Sequence, residues 1–142
     1  MPSEGMVHAL KIIHTLLKTS GLLVDIHPMG EPPEIVVRSG RKTAHAGWLQ
    51  ESDDFVEYPQ ATQAIEQSIA EGWYAVEKQR DFIFITQAET VDMLRTFLEA
   101  QWKDAIVPSE AMQLAQEYLA SMGEGSKVQV LERVGIVGLR RN

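Results

Sequence analysis

Asp25 and His27 stand two residues apart. On a strand, residues i and i+2 share a face, so a carboxylate there can orient an imidazole and raise its basicity, as a general-base pair requires. Arg38, expected on the next strand, extends this to an acid–base or anion site, and His45 is a further ligand-binding candidate. The sequence places no nucleophile beside them, and the open face of a sheet is ordinarily polar and wet. No catalytic residue is therefore assigned. Asp25, His27, Arg38 and His45 are ligand-binding residues only under an alternative reading, a small-molecule binder or small enzyme with a polar pocket.

Other chemistries lack their residues. The chain has no cysteine, which removes disulfides, thiolate metal sites and a cysteine nucleophile together. His8 and His14 are six apart, well off a common helix face, and so miss the i, i+4 pair of a helical metal site. Glu51, Asp53, Asp54 and Glu57 lack the spacing and glycine of a calcium loop. No metal and no cofactor is expected. Gly123-Glu124-Gly125-Ser126-Lys127 looks like a phosphate loop, but it follows a helix instead of opening one, so a phosphate would meet the negative end of the dipole. It is expected to stop the helix.

Charge narrows the partners. The net charge is −7 over 142 residues. From Thr43 to Glu77 there is no Lys or Arg, while Glu51, Asp53, Asp54, Glu57, Glu66, Glu71 and Glu77 carry the whole excess; outside that segment 13 acids meet 13 bases. Such a field repels nucleic acid and attracts basic partners. The basic clusters, Arg38-Arg41-Lys42 and Arg140-Arg141, are not interleaved with aromatics as a single-strand groove would be. No nucleic-acid partner is expected. Glu51, Asp53, Asp54 and Glu57 instead suit docking of a basic protein, which needs no fixed coordination geometry. Trp48, Trp73 and Tyr74 flank the acidic segment. Trp73 and Tyr74, adjacent on an expected strand, point to opposite faces, and one of them is expected at an interface.

The elements that must hold these residues follow from periodicity. Met6, Ala9, Leu10, Ile13, Leu16 and Leu17 predict a helix over 4–20, capped by Ser3 and ended by Gly21 in a left-handed conformation. Alternation from Leu22 to His27 predicts a strand, and Met29-Gly30-Glu31-Pro32-Pro33 a turn leading into an antiparallel strand at Ile35–Val37. A third strand is expected between Thr43 and Gln50. Pro59 opens a helix that Gly72 ends. Trp73–Lys78 and Phe82–Thr86 read as a hairpin around Gln79-Arg80-Asp81. Thr86 and Glu89 form a capping box for a helix with Val91, Leu94, Leu98 and Trp102 on one stripe, flanked by Met93 and Phe97. Phe82, Phe84, Phe97 and Trp102 fit core stripes. A helix over 109–122 and a late strand from Val128 to Val134 close the chain.

The expected fold is thus α+β, a mixed or mainly antiparallel sheet with helices packed on it, in one domain over 1–142. The first six residues contain no basic stretch followed by an apolar run, and no apolar run approaches the ~20 residues of a membrane helix. A cytoplasmic, acidic protein without a membrane partner is expected.

The order helix, two or three strands, helix, two strands, helix over about residues 4–104 is similar to that of type III secretion chaperone-like domains. That resemblance implies a small acidic homodimer that binds other polypeptides. With no catalytic constellation, the expected function is a non-enzymatic protein-interaction module.

Overall fold

A computed structural model describes residues 3–51, 57–102 and 105–142. The chain is α+β, with antiparallel strand pairs. Its elements are α1 (Ser3–Leu16), β1 (Leu22–Pro28), β2 (Glu34–Ser39), β3 (Lys42–Trp48), β4 (Gln50–Glu51), α2 (Glu57–Ala70), β5 (Tyr74–Ala88), α3 (Val91–Gln101), β6 (Ala105–Ile106), α4 (Ser109–Met122) and β7 (Lys127–Arg141). The residues fall into two compact units. One comprises Met1–Gly30, Asp54–Phe82 and Arg133–Asn142; the other comprises Glu31–Asp53 and Ile83–Glu132.

In the first unit β1 lies antiparallel to β7, from Leu22 opposite Arg140 to Pro28 opposite Val134. Strand alternation sends Leu23, Asp25 and His27 to one face. Leu23 packs there with Leu10 of α1, Leu17 just after it and Ile69 of α2 on a buried cluster of Ile65, Tyr74, Val137 and Leu139. The opposite face carries Leu22, Val24 and Ile26, which are 44%, 50% and 58% exposed. α1 stops at Leu16, earlier than its apolar stripe suggested, and Leu16 is exposed. The left-handed residue after it is Ser20, at φ 63°, and not Gly21. Gly21 is needed for space instead, because a Cβ there would lie 2.8 Å from the Lys18 carbonyl oxygen.

In the second unit β2 runs between β3 and β7. It meets Trp48 to Lys42 on one side and Leu131 to Lys127 on the other. Ile35, Val36 and Val37 are all buried, as an unbroken apolar run on a strand with both faces covered should be. Ile35 and Val37 share a core with Val91, Leu94 and Leu98 of α3, with Ala111, Met112 and Ala115 of α4, and with Val128 and Val130. α4 comes so near β3 that a Cβ on Gly47 would sit 2.6 Å from that of Ala111. β4 and β6 form a short separate antiparallel pair.

Five further expectations are corrected. β1 and β2 do not form a hairpin; both run antiparallel to β7, one on its C-terminal part and the other on its N-terminal part. The expected hairpin at Gln79-Arg80-Asp81 is one continuous 15-residue strand, β5, paired with β7. No glycine or asparagine supplies a tight turn there, and Asp81 meets Arg133 at 3.1 Å while Glu77 pairs with Arg140, so the polar triplet is held as strand. The cap of α3 is Thr90, whose hydroxyl accepts from the Met93 N–H at 3.1 Å, because Thr86 is still in β5. Phe82, Phe84 and Phe97 are exposed, and of the four aromatics assigned to core stripes only Trp102 packs against a core. The last strand is longer than expected and continues through Gly135 and Gly138 to Arg141.

Candidate functional site

Asp25 and His27 share the covered face of β1, beneath α2. The Asp25 carboxylate lies 2.5 Å from His27 Nδ1, and His27 Nε2 lies 3.2 Å from the Thr62 hydroxyl on α2. With Nδ1–H donating to Asp25, Nε2 is left to accept the Thr62 proton. A protonated ring would donate to both, and the Thr62 hydroxyl would then donate to the Tyr58 carbonyl, 3.4 Å away. The three side chains stand at a cavity of about 140 Å³ whose apolar wall includes Ile65, Ile69 and Val137. Thr62 escaped sequence reasoning: it is 35 residues from His27, and a helical threonine carries no local signal of a distant partner.

Arg38 and His45 have other partners, in the other unit. Arg38 Nε donates to the Gln129 side-chain oxygen at 3.1 Å, and the Gln129 amide donates to Gln87 at 3.0 Å. Gln129 is buried, so this chain satisfies a polar group that would otherwise cost stability. His45 Nδ1 lies 2.7 Å from Glu34, and its ring stacks obliquely on Trp48 at 5.0 Å.

Asp53 and Asp54 lie outside the described residues, as do the side chains of Glu51 and Glu57. Trp73 is half-buried, with Lys11 Nζ 5.8 Å from its ring centre. Tyr74 is a core residue of the first unit. It is 1% exposed, its hydroxyl donates to the Leu10 carbonyl at 2.7 Å, and the His14 ring stands edge-on at 5.5 Å. Burial pushes the Tyr74 phenol up from the usual 10.0, and the nearby Arg141 charge partly opposes this. The Gly123–Lys127 turn ends α4. Gly123 adopts φ 81°, and the Ser126 hydroxyl donates to the Gly123 carbonyl at 2.7 Å.

The exposure of two apolar surfaces was not legible from periodicity. The first is the open face of β1. With Ile136 and Gly138 of β7 it floors a groove of about 510 Å³, bordered by Glu77 to Arg80 of β5. The second is β5 itself, where Phe82, Ile83, Phe84 and Ile85 are 42–56% exposed although consecutive strand residues face opposite ways. Among the described residues no three His, Asp or Glu side chains gather as metal ligands, and no helix is long and apolar enough to cross a membrane. No protein family, curated protein or solved structure matches the chain.

Proposed function

We propose that the protein is a non-enzymatic protein-interaction module, chaperone- or adaptor-like, that works as a homodimer through β5. The observation supporting this is the free apolar edge of that strand. β5 pairs with β7 and, among the described residues, with no other strand. It contains neither proline nor glycine, and its charges, Glu77, Lys78, Arg80 and Asp81, all precede Phe82. From Phe82 onward the edge of unpaired N–H and C=O groups has no such guards and is a template for another strand. A strand paired antiparallel with its own copy closes on a two-fold axis and yields a dimer instead of a fibre.

Charge selects the register. Centred on Gln79, the self-pair would set Lys78 opposite Arg80 and Glu77 opposite Asp81, and like charges directly opposed are destabilising. Centred on Ile83 and Phe84, it sets Phe82 opposite Ile85 and Asp81 opposite Thr86. The client of the dimer is a basic polypeptide, drawn by the acidic stretch from Thr43 to Glu77. The alternative, a small-molecule or small-enzyme site at Asp25 and His27, is weakened by size. Its cavity of about 140 Å³ is below the roughly 300 Å³ at which ligand pockets begin. The Asp25–His27–Thr62 bonds act there as a clasp between β1 and α2.

Light scattering after size exclusion tests the reading. The wild type is expected at twice its 15.9 kDa, and Phe84→Lys at the monomer mass with unchanged far-ultraviolet dichroism, since Phe84 is exposed. A monomeric wild type at ~100 μM, far above the Kd of a standard-sized interface, would overturn the dimer. A dimeric Phe84→Lys would overturn the role of β5.

A further inference from the structure

The groove on the open face of the first unit has a floor and a rim of different chemistry. Its floor is Leu22 and Val24 of β1 with Ile136 and Gly138 of β7, residues that register on one face because Val24 lies opposite Gly138 and Ile26 opposite Ile136. Its rim, from β5, holds Glu77, Lys78, Gln79 and Arg80. The Glu77 carboxylate is paired with Arg140. Lys78 and Arg80 make no ion pair among the described residues, so the rim presents two uncompensated cations beside an apolar floor, in a chain whose net charge is −7.

We propose that this groove binds a free amphipathic anion, a straight-chain carboxylate of about ten carbons, with its tail on Leu22, Val24 and Ile136 and its head at Lys78 and Arg80. Charge complementarity selects the anion, since a cationic amphiphile would meet Lys78 and Arg80 with like charge. Volume bounds the length: at roughly 30 Å³ per heavy atom, the share of a liquid water molecule, about 510 Å³ holds on the order of 17 such atoms, and decanoate, with about twelve, fits within it. The groove volume falls within the roughly 300–1,000 Å³ of ligand sites. Every lining residue belongs to one unit of one chain, so the site stands whether or not β5 forms a dimer.

The test is calorimetric titration of the full chain with octanoate, decanoate, decan-1-ol and decylammonium. Decanoate is expected to bind saturably, roughly two- to fourfold more tightly per added methylene from octanoate, and more tightly than decylammonium. Lys78→Gln combined with Arg80→Gln is expected to weaken decanoate about three- to tenfold, the scale of two exposed charge pairs, and to leave decan-1-ol unchanged. Val24→Lys, at an exposed position, is expected to abolish all binding, and Phe84→Lys to keep wild-type affinity. No saturable decanoate binding below ~1 mM, an affinity on the scale of about −4 kcal/mol, would overturn the proposal. So would equal affinities for decanoate and decylammonium. Conversion of a dimer to a monomer by Val24→Lys, with no response to decanoate, would assign the face to a second copy and overturn it as well.

Discussion

Tyr74 does three things at one position. It fills the first unit's core, its hydroxyl donates to the Leu10 carbonyl, and its ring receives the His14 edge. Tyr74→Phe keeps the ring and removes the hydrogen bond, so it is expected to cost about 0.5–1.5 kcal/mol in denaturant unfolding at neutral pH. The sign of its pH dependence follows from burial. The folded-state phenol is raised above its ordinary 10.0, so the folded protein holds this proton more tightly than the unfolded chain. The corresponding stability is fully present below pH 10 and is lost as pH rises through the folded value. The gap between wild type and Tyr74→Phe should therefore narrow above about pH 10, and unfolding curves at pH 8 and pH 11 check this. A constant gap would mean that the phenol keeps its ordinary value.

At the element scale, sequence pattern and structure agree where local signals decide. α4 occupies the predicted 109–122 because Pro108 excludes an earlier helix and Gly123 provides the stop. The apolar run Ile35–Val37 reads correctly as a buried strand. The i, i+2 spacing of Asp25 and His27 places them side by side, 2.5 Å apart. Agreement fails where a distant segment decides. Nothing in Gln79-Arg80-Asp81 reveals that Arg133 and Arg140 hold Asp81 and the neighbouring Glu77 along a second long strand. The extension of β5 also moved the α3 cap from Thr86 to Thr90, although both threonines are chemically able to cap. That shift is testable. Thr90→Ala, which strips the Met93 N–H of its acceptor, is expected to cost about 1 kcal/mol, whereas Thr86→Ala lies in a strand and removes no cap. Equal losses in urea unfolding would return the cap to Thr86.

For the whole molecule, what matters is that β5 and β7 each contribute residues to both units. Val128 and Val130 belong to the core with Leu94, while Val137 and Leu139 belong to the core with Tyr74, and all four lie on β7. A strand cannot lose its pairing over one half without freeing backbone N–H and C=O groups beside the other, and unpaired buried groups are costly. The two cores should therefore melt together. Leu94→Ala and Leu139→Ala remove fully buried side chains from one core each, and each is expected to cost about 2–5 kcal/mol. In calorimetry at fixed protein concentration, both variants should lower the same single transition, with calorimetric and van't Hoff enthalpies equal. Two transitions, one moved by Leu94→Ala and the other by Leu139→Ala, would show that each half of β7 is stabilised independently. The β5 edge could then be exposed or sequestered by partial unfolding of one unit alone, and dimerisation would be coupled to that unit's stability and not to the stability of the chain.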